Sequence, residues 1–171
     1  GIWTLEVDDL FNIDAGAIDG ATLNVSYTSG ASTTANIPAV SAPTPAFPVA
    51  IGPDSGSPKT IEFDASALPA GAVITKVTAS VSMFHTWAGD VVINLTSPGS
   101  TTIELVNDNG LGSDNYGVSN GTAPADYTFD DAAPAALAAI PGANQPIPSG
   151  SYQPNDALNV FNGTSPQGIW S

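Results

Sequence analysis

The chain has 171 residues and a formal net charge of −14, from 16 Asp and Glu against two cations, Lys59 and Lys76. Two cations are too few to neutralise a phosphate backbone, which excludes nucleic acid as a partner. Charged residues make up only 11%, which argues against an acidic disordered chain, and no apolar run nears the roughly 18 residues of a membrane helix. Cysteine is absent, removing disulfides, thiolate metal sites and cysteine nucleophiles together. A Lys-poor, Thr- and Asn-rich acidic chain without cysteine reads as a secreted, prokaryotic, extracellular or cell-surface protein that uses calcium where others use disulfides. Opening at Gly1 without Met, it reads as a mature product or an excised piece.

Alternation with a period of two runs through the chain and predicts strands. It is found in Trp3-Thr-Leu-Glu-Val7, Leu23-Asn-Val-Ser-Tyr27, Ile61-Glu-Phe63 and residues 73–85, then in Val91-Val-Ile-Asn-Leu95, Ile103-Glu-Leu105 and Tyr127-Thr-Phe129. In the longest, Val73, Val77, Ala79, Val81 and Met83 face one way and Lys76, Thr78, Ser80 and Ser82 the other. Ala70-Gly71, Ser97-Pro-Gly99, Asn109-Gly110 and Asn162-Gly163 mark turns. Only residues 131–140 have a helical composition, and Pro134 confines that to a turn or two. Residues 29–58 hold six prolines among Ser, Thr, Ala and Gly and read as a linker, with at most an edge strand in its second half. The fold class is all-β, an antiparallel β-sandwich or jelly roll.

The two ends match: Gly1-Ile-Trp-Thr4 returns as Gly168-Ile-Trp-Ser171. Phe84-His-Thr-Trp-Ala-Gly-Asp-Val-Val-Ile-Asn-Leu-Thr-Ser-Pro98 resembles the P domain of subtilisin-like proprotein convertases, in the long bacterial variety carried by secreted and surface proteins. The likeness continues through Tyr127-Thr-Phe-Asp-Asp-Ala-Ala133, Ser149-Gly-Ser-Tyr-Gln-Pro154 and residues 158–170. In that family the last stretch runs on into a strand ending in two aspartates, an Asp-x-Gly turn and a closing strand. Here those pieces stand first, as Gly1-Ile-Trp-Thr-Leu-Glu-Val-Asp-Asp9, Asp14-Ala-Gly16 and Ala21-Thr-Leu-Asn-Val25. The resemblance implies a galactose-binding-like sandwich in permuted order. Residues 1–28 are then its closing strands, 29–58 a linker, and 59–171 a sandwich lacking its final strands.

A sandwich short of two strands exposes unpaired backbone and opens its core. Residues 1–28 are therefore expected to act as a donated two-strand unit. Trp3, Leu5, Val7, Leu23, Val25 and Tyr27 enter a core beside an acceptor edge at Gly168, Ile169 and Trp170. Three arrangements satisfy this: closure of the same domain, closure of another copy of the chain in a head-to-tail filament, or a tandem array of P-like repeats.

Asp8-Asp9, Asp130-Asp131 and Asn107-Asp-Asn-Gly-Leu-Gly-Ser-Asp-Asn115 are rich in oxygen ligands of the kind calcium takes. The resemblance also implies calcium in this loop region, so Asp108, Asp114, Asp130 and Asp131 are the candidate metal ligands. His85, the one histidine, shares the inward parity of Val81 and Met83 and reads as structural. Gly117-Val-Ser-Asn-Gly121 fits the hydrolase pattern G-x-S-x-G but lies in a loop with no helix after it, so no catalytic residue is assigned. Asn24, Asn94, Asn120 and Asn162 begin N-x-Ser/Thr sequons, and Asn24 and Asn94 face outward. Trp3, Trp87 and Trp170 are expected to fill the core and sheet ends, with a sugar platform conceivable at Trp87 alone. The function expected is a non-catalytic structural or adhesive module whose partners are copies of itself or adjacent repeats. The alternatives are an accessory domain of a secreted subtilisin-like protease and a carbohydrate-binding jelly roll.

Overall fold

The computed structural model describes residues 1–11, 13–38, 46–52, 57–107, 115–118, 122–137 and 146–167. Among these residues ten strands pack as two sheets: β1 Ile2–Asp9, β2 Gly16–Thr28, β3 Ser32–Pro38, β4 Val49–Ile51, β5 Lys59–Asp64, β6 Val73–His85, β7 Val91–Thr96, β8 Thr102–Val106, β9 Ala125–Phe129 and β10 Gly150–Tyr152. One sheet has the order β5-β1-β7-β8; the other runs β10-β9-β6-β2-β3, with β4 also paired to β2. All pairs are antiparallel except β9–β10. Among the described residues there is no α-helix; short 3-10 turns stand at Ala88–Asp90 and Leu158–Phe161. The molecule is an all-β sandwich.

The inner faces follow from the alternation. In β1, Trp3, Leu5 and Val7 are buried while Thr4 and Glu6 lie half-buried on the outer face. Leu23, Val25, Val77, Ala79, Val81, Tyr127 and Phe129 face them from the other sheet, and all belong to one core. Two bulges reset the parity. Register slips between Ile18 and Gly20 leave Asp19 unpaired opposite Met83 and Ser82, so Ile18 and Ala21 both point inward. A second slip between Ser26 and Tyr27 leaves Thr75 unpaired in β6. Beyond it Ile74 is buried and Val73 is exposed, reversing the face expected for Val73.

Residues 29–58 carry more structure than a linker with an edge strand in its second half: β4 is there, and β3 precedes it. Ser29-Gly30-Ala31 turns β2 into β3, which pairs with it from Thr28↔Ser32 to Thr22↔Pro38. β4 then pairs with the start of β2, Gly16↔Ile51 to Ile18↔Val49. Ser32-Thr-Thr-Ala-Asn-Ile37 lacks apolar alternation because β3 lies at a sheet edge, where only Ile37 is buried. Hydrogen bonding to a well-patterned neighbour, rather than its own pattern, makes it a strand.

Candidate functional site

β1 and β2 sit inside the sheets. β1 lies between β5 and β7, paired from Ile2↔Asp64 to Val7↔Lys59 and from Thr4↔Thr96 to Asp9↔Val91. β2 lies between β6 and β3, paired with β6 from Gly16↔His85 to Thr28↔Val73. All six expected insertion residues are buried within this chain: Trp3, Leu5, Val7, Leu23 and Val25 at 0% exposure and Tyr27 at 7%. The Trp3 indole stands edge-on to Phe161 at 4.9 Å, and its Nε1–H donates to the Pro166 carbonyl at 3.1 Å. The acceptor residues Gly168, Ile169 and Trp170 lie outside the described residues.

Where β1 ends, the segment meets the stretch that carries the Phe84–Pro98 pattern. Asp9 is the fourth inward position of β1 after Trp3, Leu5 and Val7, and His85 follows Val81 and Met83 inward along β6. Both are buried, and Asp9 Oδ2 stands 3.5 Å from His85 Nε2. Neither of these two atoms has a hydrogen-bond partner among the described residues, so each is the other's polar neighbour. Asp9 Oδ1 accepts the Phe11 N–H at 3.2 Å. His85 Nδ1 lies 2.8 Å from the Trp87 carbonyl and 3.2 Å from the Trp87 N–H, donating to the first when protonated and accepting the second when not. Gly52, at φ +70°, closes the site: a Cβ there would collide with Asp9 Oδ2.

Thr86 fastens the same junction from outside. Its Oγ1 donates to Asp14 Oδ1 at 2.9 Å and accepts the Ala15 N–H at 3.2 Å, and its N–H donates to the Ala15 carbonyl. The Leu10 N–H reaches the carbonyl of buried Asp90 at 2.9 Å. An Asp–His pair is two-thirds of a hydrolytic triad, whose third member is a nucleophile held by the free imidazole nitrogen. Here one nitrogen faces Asp9, the other faces the backbone, and the ring has no solvent exposure. The pair joins two strands; it has no nitrogen left for a substrate. The inward parity of Asp9 and His85 is readable in the sequence, but their pairing across 76 positions is not.

The remaining candidates separate. Asp130 Oδ2 accepts from Lys76 Nζ at 2.7 Å and Oδ1 from the Ala132 N–H at 2.9 Å. The Lys76 hydrogen bond holds the Asp130 carboxyl below its usual range. Asp131 spends both oxygens on the N–H groups of Leu158 and Asn159, each at 2.8 Å, capping the turn that holds Phe161 against Trp3. Each of the four oxygens of Asp130 and Asp131 thus accepts one hydrogen bond from within the chain. Asp108 and Asp114 lie outside the described residues, and no group of three or more His, Cys, Asp or Glu gathers as a metal site among the described ones. Of the G-x-S-x-G stretch, Gly117 and Val118 are described; the Gly117 N–H donates to the Tyr127 hydroxyl at 2.7 Å, an internal structural bond. Burial pushes the Tyr127 phenol up to about 12. Trp87, expected in the core or at a sheet end, is 39% exposed.

Residues 74–133 match the family model of the proprotein convertase P-domain. The P-domain match spans β6 to β9 together with His85, Thr86, Asp90 and the Asp130-Asp131 pair, and agrees with the resemblance carried by residues 84–98. It does not reach β1 and β2, which dock on the matched stretch along β6 and β7 and at His85 and Thr86. No curated protein and no solved structure gives a significant match. No helix among the described residues is long and apolar enough to cross a membrane.

Proposed function

We propose that the chain is a non-catalytic extracellular structural module: a P-like sandwich in which residues 1–28 act as a separable closing segment rather than as a binding or catalytic arm. One observation carries this reading. Trp3 is fully buried, set edge-on against Phe161 and hydrogen-bonded to Pro166, 163 positions away, so the first residues of the chain seal the core against the last described turn. Replacing Trp3 with alanine should lower stability by about 3–5 kcal/mol, the range for large aromatic truncations in a core. Urea titration followed by near-UV circular dichroism measures it, and an unchanged midpoint would overturn the reading.

The P-domain match favours a second reading, an accessory stabilising domain of a secreted subtilisin-like protease. That reading expects such a protease to lose heat resistance when this module is removed, with its active-site chemistry unchanged. Calcium belongs to the proposal through the loop at residues 107–115, where Asp108 and Asp114 supply carboxylates to a chain that lacks disulfides, with Asp130 or Asp131 reaching in. A thermal melt with and without chelator tests it. A site kept at a hundredfold excess of calcium over its dissociation constant contributes about 2.7 kcal/mol, and a chelator-independent midpoint removes calcium from the account.

A further inference from the structure

A cleft of about 470 Å³ opens on the outer face of the six-stranded sheet, the face turned from the core. That volume lies within the roughly 300–1,000 Å³ of small-molecule sites. Its floor is a grid of small side chains. Thr22 pairs with Ser80 and Ser80 with Thr128, so three hydroxyls stand in a row across β2, β6 and β9. The next outward row is Gly20, Ser82 and Asp126, joined by the same two ladders. Strand geometry makes the grid about 10 Å wide and 7 Å long. The hydroxyls of Ser80 and Thr128 lie 2.9 Å apart and fix each other's orientation.

Two features shape the space above this floor. The bulge at Asp19 resets β2 so that Gly20 faces outward beside Ser82. A Cβ on Gly20 would meet only Ser82 Cβ, at 3.8 Å, so an ordinary side chain fits there and glycine leaves its volume to the cleft. Phe47 forms a side wall. Val49, two residues on, is buried and paired with Ile18 in the β2–β4 ladder, while Phe47 itself is 36% exposed.

The lining selects the ligand by its chemistry. Serine and threonine hydroxyls both donate and accept hydrogen bonds, and a carboxylate accepts them. Neither Lys59 nor Lys76, the two cations of the chain, lines the cleft among the described residues. With Asp126 in the lining and a net charge of −14 on the chain, an anion is repelled, and so is a second copy. A ligand that both gives and takes hydrogen bonds, carries no charge and lays an apolar face on an aromatic ring fits all of these groups.

We propose that this cleft binds a neutral glycan, its hydroxyls met by Thr22, Ser82 and Asp126 and one sugar face laid on Phe47. The ring is not that of Trp87, the platform conceivable from the sequence, which does not line the cleft. The inference goes beyond the structural reading, giving the module a ligand while leaving the closing of its core as it stands.

Isothermal titration of the full chain with cellohexaose, maltohexaose and mannohexaose tests it, with hexagalacturonate as the anionic probe and a chitosan hexamer as the cationic one. At least one neutral hexamer should bind, and the amide signals of Thr22, Ser82 and Thr128 should shift when it is added. Phe47→Ala should weaken that binding about tenfold, as loss of a stacked aromatic does. Gly20→Leu, which fills the cleft from a position that accepts a side chain, should abolish it, and unchanged urea midpoints show that both variants fold. The proposal is overturned if no neutral hexamer binds, or if a charged hexamer binds as tightly as the neutral ones. Amide shifts confined to other residues of the unaltered chain overturn it equally, whether or not the variants fold, and so does binding that survives both substitutions.

Discussion

Deleting residues 1–28 should abolish the near-UV circular dichroism of the folded protein and its cooperative urea transition. The segment supplies an interior strand to each sheet, β1 between β5 and β7 and β2 between β6 and β3. Burying a large apolar side chain contributes about 1.5–3 kcal/mol, so Trp3, Leu5, Val7, Leu23, Val25 and Tyr27 together contribute on the order of 10 kcal/mol. The net stability of a domain is about 5–15 kcal/mol, so the loss exhausts it. Deletion also strips β5 of β1, β6 of β2, and β3 and β4 of the strand with which each pairs. Backbone groups left unpaired inside a sheet add to the loss. A truncated chain that keeps an unchanged urea midpoint and near-UV spectrum would refute the central place given to β1 and β2.

The strands of that core are legible in the sequence because alternation is a local signal. Val73–His85 reads as one strand and is one, and β1 shows its buried face residue by residue. Val73 faces the opposite way from its expected side because a bulge at Thr75 is invisible to a period-two count, and only pairing with β2 reveals the slip. β3 escapes for a related reason: Ser32-Thr-Thr-Ala-Asn-Ile37 forms its ladder on an edge, with little to bury and so little pattern to show.

At the candidate site the division is sharper. Both partners of the buried pair stand out as inward-facing polar residues at the ends of apolar strands, Asp9 after Val7 and His85 after Met83. Their meeting depends on β1 and β2 carrying the N-terminal segment across to β6, a tertiary fact with no local trace. The adjacent aspartates Asp130 and Asp131 show the reverse: their oxygen-rich chemistry is plain in the sequence, while the donors that meet them, Lys76 and the N–H groups of Ala132, Leu158 and Asn159, are given by the fold.

The Asp9–His85 pair yields the second large effect. Asp9 and His85 are almost completely removed from water, and the 3.5 Å between Oδ2 and Nε2 is their shared electrostatic contact. Removing one member of a buried pair costs about 3–5 kcal/mol, because the other stays desolvated without a partner. Asp9→Ala and His85→Ala should each fall in that range by urea titration. Gly52 keeps a backbone pressed against the carboxylate, so no water-sized space lies on that side to solvate a bereaved Asp9. The double substitution should cost clearly less than the sum of the two, since it removes the orphan with the partner. Additive losses would show that the two residues act separately. The coupling would then lie in the contacts of Thr86 with Asp14 and Ala15, which both single variants leave in place.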